Sequence, residues 1–415
     1  MTKNGGSTDS QSKDIIKVEG GSIVTPLGYA VSGIYSGVKR KRNDLGAIYS
    51  EEPAQAAAVY TLNAVQAAPI KVMKETMAKE QTIQAVIVNS GNANACTGEQ
   101  GIEDAYTMQK LAAEHFNVPV HYTAIASTGL IGERMPMENI TNHIPNLKVG
   151  NRPQDADAFC ESIRTTDTFN KSVCYQAEIN GRTITMGAAA KGSGMIEPNM
   201  GTMLSFITTD ANVASEHLQE ALKEVTNQTF NCITVDGDTS TNDMVLLLAN
   251  GKADQESLAP GDEGWSTFVR LLELTCESMA KSIARDGEGA SKLIDVTVKG
   301  AKTDVEARQI GKAIVGSSLV KTAVYGSDAN WGRVIAAIGY SQAHVDPEKI
   351  DMWFGPIQLL KQSQPTSFSE EEATTYLSGD TVDITVHLHQ GDGFAKAWGC
   401  DLTYDYVRIN ASYRT

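Results

Sequence analysis

A chain of 415 residues has room for two or three domains, and with 41% hydrophobic and 20% charged residues it reads as globular rather than disordered. Its 35 Lys and Arg against 50 Asp and Glu leave a net charge of −15, which argues against general nucleic-acid binding, because that needs a basic surface to displace counterions. Thirty-six glycines against 12 prolines suggest tight turns and close backbone approaches rather than linkers.

Met1 to Lys13 is polar with no apolar run, so it reads as a frayed start and not a signal peptide. The chain has no 18-residue apolar stretch, so no membrane-spanning helix is expected and the location implied is the cytoplasm. Gln84–Val88 and Thr123–Ala126 are short apolar runs that end in Asn, Ser, Thr and Gly, as strands do when they lead into functional turns. Between them, Ile102 to Phe116 carries one apolar stripe and reads as a helix. Asn89, Asn92 and Asn94 are expected to shape a turn. Leu218, Leu222 and Val225 follow Ser215, a candidate N-cap. Phe268, Leu272, Met279 and Ile283 mark a longer helix that stops before Gly287. Leu293–Val298 and Val382–Leu388 alternate like half-buried strands, and Gln364–Thr375 reads as a surface loop. Strands interleaved with helices indicate an α/β or α+β protein, with a domain boundary near residues 290–300.

Six widely spaced cysteines, with no C-x-x-C pair, fit reduced and mostly buried thiols. No phosphate-binding loop, zincin motif, nucleophile elbow or dinucleotide fingerprint is present. His387 and His389 lie two apart on an expected strand, but two ligands are too few for a metal site, and a structural role is expected. An enzyme built from this chain must find its nucleophile and base outside a Ser–His pair.

The densest segment is Ala188–Leu204, which holds Gly192, Gly194, Gly201, Lys191 and a single Gly-Thr step before an apolar run. Glycine leaves its carbonyl open to attack by a following hydroxyl. On pattern alone, a glycine-rich surface loop is the simpler reading. The segment, however, resembles the self-cleavage site of the ornithine acetyltransferase family, the bifunctional glutamate N-acetyltransferases of arginine biosynthesis. Val88–Gln100, Ala126–Gly132, Thr165–Thr168, Asp286–Lys292, Asn330–Arg333 and Ile409–Thr415 look like further blocks of that family, in family order, from about residue 18 onward. One departure stands out: the family's usual residue before the cut is alanine, and here it is Gly201.

The resemblance implies a self-processing N-terminal-threonine-nucleophile fold, with mixed sheets layered with helices and a smaller C-terminal α/β domain. It divides the chain into a start at 1–17, an α chain at 18–201, the catalytic part of a β chain at 202–295 and a C-terminal domain at 296–415. It implies that Thr202 attacks the Gly201 carbonyl and that the freed Thr202 amine then serves as base for its own hydroxyl. Thr128 and Gly129 would form the oxyanion hole. Substrate contacts would come from Lys191, Glu288, Asn410, Thr415, Thr202 itself and one of Thr165 and Thr166, with Thr165 favoured. The reaction implied is acetyl transfer from N2-acetylornithine to glutamate by a ping-pong route, with no metal or cofactor and with the α and β chains in an α2β2 assembly. Whether acetyl-CoA is a second donor stays open. So do an N-terminal-nucleophile amide hydrolase or aminopeptidase and a non-enzymatic, uncleaved scaffold. Asn330–Arg333 is expected to be structural or near the site, and Tyr404, Tyr406 and Val407 argue for a docked strand before Asn410 rather than a frayed tail.

Overall fold

The computed structural model describes residues 15–198 and 203–412, so Gly201, Thr202 and Thr415 lie outside the described residues. Nine strands of the described chain form one mixed sheet: β1 (Ile15–Lys17), β2 (Tyr29–Ile34), β3 (Leu45–Tyr60), β4 (Thr82–Asn92), β5 (Thr123–Leu130), β6 (Lys171–Ile179), β7 (Arg182–Lys191), β8 (Leu204–Thr209) and β9 (Met244–Ala249). Their order is β1-β6-β7-β8-β9-β3-β4-β5, with β2 on β3. The pairs β8/β9 and β4/β5 are parallel and the rest antiparallel. β3 joins the two halves: Gln55–Tyr60 pairs with β9, whereas Leu45–Tyr49 pairs with β4 across a register shift.

Strand periodicity divides the buried side chains between two cores. On β8 and β9, Leu204, Phe206, Met244, Leu246 and Leu248 join a cluster with Val31, Leu45, Val86 and Val88 of β2–β4. The alternate residues Ile207, Val245 and Leu247 join the other cluster, with helices α5 (Ser215–Gln228) and α6 (Trp265–Arg285). On the far side, α1 (Ala68–Lys79) and α2 (Gly98–Phe116) pack on β4 and β5. The described chain also has α3 (Met137–His143) and α4 (Pro153–Ile163), the latter against β2.

A six-stranded sheet follows: β10 (Leu293–Ala301), β11 (Asp351–Phe354), β12 (Ile357–Lys361), β13 (Gln364–Pro365), β14 (Thr381–His387) and β15 (Gly393–Cys400), in the order β13-β12-β11-β14-β10-β15. With it come α7 (Asp304–Gly316), α8 (Ser318–Tyr325), α9 (Trp331–Gly339), α10 (Glu370–Leu377) and α11 (Tyr404–Ser412). α6 lies between the sheets. It buries Phe268, Leu272, Cys276, Met279 and Ile283 at helical spacing and touches β6 and β7 on one side and β15 on the other.

Several local expectations need correction. Ser215 is the first helical residue and Ala214 occupies the N-cap. Gln364–Thr375 is not a loop throughout. Ser369 caps α10 by accepting from the Glu372 N–H, and three glutamates in the first turn suit the helix dipole. The segment from Tyr404, read as a docked strand, is helix α11. His389 lies beyond the end of β14 and its ring meets Asp351 Oδ2 at 2.8 Å. Asn330 caps α9 and Arg333 bonds the Leu319 carbonyl, both structural tasks. Five cysteines are buried and Cys96 is exposed, all as free thiols. Among the described residues no helix is long and apolar enough to cross a membrane, and no group of three or more His, Cys, Asp or Glu could hold a metal ion.

Candidate active site

β7 ends at Lys191, opposite Leu204, where β8 begins, and β9 begins beside β8. The four residues 199–202 therefore connect two anchored flanks. On one side, Glu197 O accepts from the Thr239 hydroxyl and Ile196 bridges to Thr239. On the other, Met203 O accepts from the Met244 N–H at 2.9 Å. Next to these strand ends opens a cavity of about 260 Å³. Thr128, Gly129, Thr165, Thr166, Lys191, Glu288 and Asn410 all line it, as does Met203, the neighbour of Thr202. Gly201, Thr202 and Thr415 lie outside the described residues.

The end of β5 is irregular for a stated reason. Gly129 has φ +134°, and an added Cβ there would stand 2.3 Å from the Gly91 carbonyl carbon. Only glycine fits, and the register of β4 against β5 shifts at Gly91 and Asn92. The asparagines hold this turn as expected. Asn89 donates to Asn92 O, Asn92 accepts from the Asn94 N–H, and Asn94 donates to Gly101 O. Asn242 then ties the turn to the start of β9, donating to Ala93 O and Ser127 O at 2.6 and 2.9 Å.

A buried ion cluster holds the other side of the cavity in place. Lys171 is wholly buried and pairs with Asp167 at 2.7 Å and with Asp286. Asp167 also accepts from the Thr165 and Gly192 N–H groups, and Asp286 accepts from the Thr168 N–H. Burial pushes the Asp167 carboxyl up, but Lys171 and Lys191 outweigh it and hold the group well below the usual carboxylate range. One cluster thus fixes the Thr165 loop, the residue after Lys191 and the end of α6.

From that helix end, the Glu288 N–H donates to Ser193 O, and the carboxylate lies against Gly194, where a Cβ would approach it to 2.4–2.5 Å. Asn410 of α11 donates to Glu288 Oε2 at 2.8 Å. Glu288 is 8% exposed and Lys191 7% exposed, so neither is the solvated surface charge that a lone Glu or Lys usually is. Among the described residues no carboxylate forms an ion pair with Lys191, whose side chain lines the cavity.

Composition and motif reading missed the loop Asp236–Asp243, which supplies Asp236, Asp238, Ser240, Thr241, Asn242 and Asp243 to the lining. The available signal was eight consecutive Asp, Gly, Ser, Thr and Asn residues running into the apolar strand β9. Asp236 accepts from the Met195 and Ile196 N–H groups at 2.7 and 2.8 Å, and so shapes the loop after Lys191. Asp243 is buried, its Oδ2 has no hydrogen-bond partner among the described residues, and burial raises its pKa well above the usual value against the pull of Ser240 and Lys191.

Residues 30–415 match the model of the ArgJ family. The arginine biosynthesis bifunctional protein ArgJ of Halalkalibacterium halodurans is 60% identical over 407 residues, covering 98% of this chain and 99% of that protein. Its counterpart in Geobacillus kaustophilus is 58% identical over 405 residues, again covering 98% and 99%. A crystal structure of arginine biosynthesis bifunctional protein ArgJ from Bacillus halodurans aligns with a TM-score of 0.50 and 64% identity, over 51% of this chain and all of that one. With the family model and these near-full-length relatives in agreement, the chain belongs to the ArgJ family.

Proposed function

We propose that this protein cuts itself between Gly201 and Thr202 and then, as an acyltransferase of arginine biosynthesis, passes acetyl groups through Thr202 from N2-acetylornithine to glutamate. One observation carries the reading. Thr128, Gly129, Thr165, Lys191, Glu288 and Asn410 come from separate stretches of the chain, yet all line one cavity with Met203. The solved relative supports the cut, since a chain that aligns in full with 51% of this one has the length of one product of a cut near the middle. The relatives' description as bifunctional supports acetyl-CoA as a second donor.

In self-processing, Thr202 Oγ attacks the Gly201 carbonyl carbon. The Gly201–Thr202 C–N bond breaks, the hydroxyl proton passes to the freed amine, and water hydrolyses the ester. The products are residues 1–201 and 202–415. The new α-amine, with an ordinary pKa near roughly 7.7–8.0, is then the general base. In the first transfer, it takes the Thr202 hydroxyl proton as Oγ attacks the acetyl carbon. The amide C–N bond breaks, the proton goes to the departing nitrogen, and ornithine leaves. In the second, the glutamate amine attacks acetyl-Thr202, the ester C–O bond breaks and Thr202 regains a proton. With acetyl-CoA, the thioester C–S bond breaks instead and the thiol leaves with the proton. Each tetrahedral oxyanion is held by the Thr128 hydroxyl and the Gly129 N–H, donors typically worth about 2.7–4 kcal/mol apiece. Lys191 pairs with a substrate carboxylate and Glu288 with an ammonium. Thr165 and Thr415 complete the substrate contacts.

The same reading places the enzyme in the cytoplasm as an α2β2 assembly, and divides catalytic and C-terminal domains near residue 295, where the second sheet begins. Denaturing electrophoresis with N-terminal sequencing tests the cut. Wild type runs as two bands with Thr202 at the new N-terminus. Thr202→Ala stays whole and inactive. Gly201→Ala processes at least as well as wild type. Preference for glutamate over water as acceptor separates the transferase from an amide hydrolase, and a cleaved Thr202→Ala chain would sink the proposal.

A further inference from the structure

A second cavity, of about 390 Å³, adjoins the first and shares Thr165, Thr166 and Glu288 with it. Besides Thr168, Gly289 and Ile409, it is lined by four basic residues in succession, Lys39, Arg40, Lys41 and Arg42, in a protein that is acidic as a whole. These residues sit on the connection between β2 and β3. That connection is built, not loose. The buried Asp44 carboxylate accepts from the Ser36 N–H and hydroxyl and from the Gly37 and Lys39 N–H groups. The Lys39 stem rests on Gly91, where an added Cβ would stand 2.8 Å from its Cγ, and Gly91 is the register partner of Gly129. Lys39, the first residue of the basic run, therefore lies beside the strand end proposed to hold the oxyanion.

Four like charges in succession repel one another, and among the described residues no carboxylate pairs with Arg40, Lys41 or Arg42. Lys39 gives its Nζ–H to the Arg164 carbonyl at 2.9 Å rather than to an acid. Burial lowers Lys39 to about 8, with Asp44 opposing and Arg42 reinforcing the shift. The Arg164 Nε–H is buried with no partner among the described residues. A site of this kind is matched by a multiply charged anion, and guanidinium forks match phosphate best. Ornithine and acetylornithine carry no such anion.

We infer that the Lys39–Arg42 wall of the second cavity is the docking site for the phosphates of a nucleotide thioester, so that the acyl arm of acetyl-CoA runs past Thr165 and Glu288 to Thr128 and Gly129. The inference rests on the reading of acetyl-CoA as second donor. It also explains why no phosphate-loop motif is needed: the phosphates are met by side chains at the rim and not by a glycine-rich backbone cradle.

The test compares wild type with Arg40→Ala/Lys41→Ala/Arg42→Ala, leaving Lys39 in place. Glutamate is the acceptor throughout, and the donors are acetyl-CoA, S-acetylpantetheine and acetylornithine. The expected result is a rise of about tenfold or more in KM for acetyl-CoA, with acetylornithine kinetics within about twofold of wild type. S-acetylpantetheine, which lacks the nucleotide phosphates, should serve both proteins equally poorly. Adenosine 3′,5′-bisphosphate should inhibit wild-type use of acetyl-CoA competitively and the variant far less, whereas equimolar inorganic phosphate should leave both unchanged. Unaltered KM for acetyl-CoA in the variant would overturn the docking site alone. An equal loss with both natural donors would overturn it as well, since the loop would then be structural. Wild type that turns over acetylornithine but not acetyl-CoA would overturn the second-donor reading itself and the docking site with it.

Discussion

Asn410 donates its Nδ2–H to Glu288 Oε2 at 2.8 Å, which joins helix α11 to the loop that follows α6. Glu288 is thereby held from one side by Asn410, while Gly194 leaves just enough room for its carboxylate on the other. A carboxylate fixed in this way can meet a substrate ammonium without first losing rotamer freedom.

Glu288→Gln should fold normally and lose about 100-fold in kcat/KM, because it keeps the shape and the bond to Asn410 but removes the charge. Lys191→Met should behave similarly and should slow processing too, given its place three residues before Gly194 in the segment that leads to the cut. Asn410→Ala should cost less, about tenfold. Steady-state kinetics with acetylornithine and glutamate, alongside thermal melts, check all three. Near-normal kinetics in Glu288→Gln and Lys191→Met would remove both from the substrate site.

Gly129→Ala tests the strand end proposed to hold the oxyanion. The methyl group would fall on the Gly91 backbone, and φ +134° is closed to alanine, so the strand end must move. A fall in kcat of about 100-fold is expected with the chain still folded, since the displaced donor is lost to the transition state more than to the substrate. A circular dichroism melt with single-turnover kinetics distinguishes this from global unfolding.

Lys171→Met would leave Asp167 and Asp286 buried without their cation. Breaking one partner of a buried pair typically costs about 3–5 kcal/mol, against about 0–1 kcal/mol for an exposed pair such as Lys110–Glu114. Urea unfolding of Lys171→Met and Lys110→Ala side by side should show that contrast. The pair also has an acid signature. Asp167 has a folded pKa below its unfolded value, so its contribution is present above about pH 3.9 and is lost as pH falls toward the folded value.

Asp243 has the opposite sign. Its folded pKa is raised by burial, so the folded state holds the proton more tightly than the unfolded one. Stability therefore declines as pH rises from about 3.9, by up to about 1.4 kcal/mol per pH unit, until the folded pKa is reached. Asp243→Asn removes this loss. Its unfolding midpoint in urea should exceed that of wild type at pH 8 and converge with it near pH 4. A difference that does not change with pH would mean that Asp243 is ionised in the fold.

The strand ends were legible as short apolar runs broken by small polar residues, as at Thr123–Ala126 before Ser127-Thr128-Gly129. Pattern alone puts Lys191 in a glycine-rich surface loop, and it is the family resemblance that singles out Thr128, Gly129 and Lys191. Asp286–Gly289 marked the true end of α6. What was not legible depends on contacts between distant segments. Nothing in the sequence marks Lys171, and only the fold brings it to Asp167 and Asp286. Asp236 and Asp243 sat in a loop whose polarity suits any surface turn, yet Asp243 is buried and Asp236 half-buried. The tail misled as well: Tyr404, Tyr406 and Val407 suggested a strand, but the segment forms a helix that holds Asn410 against Glu288.

The central claim is that Thr202 carries the acetyl group, and intact-mass measurement of the enzyme with acetylornithine alone tests it most directly. The account predicts one added acetyl mass on the fragment 202–415, mapped to its first residue, formed more slowly as pH falls below the amine pKa of roughly 7.7–8.0. It predicts that glutamate clears this group far faster than water does, and that double-reciprocal plots for acetylornithine and glutamate are parallel. An unmodified fragment in an enzyme that still transfers acetyl groups, with intersecting lines, would contradict it: transfer would then be direct, and Thr202 would serve processing only.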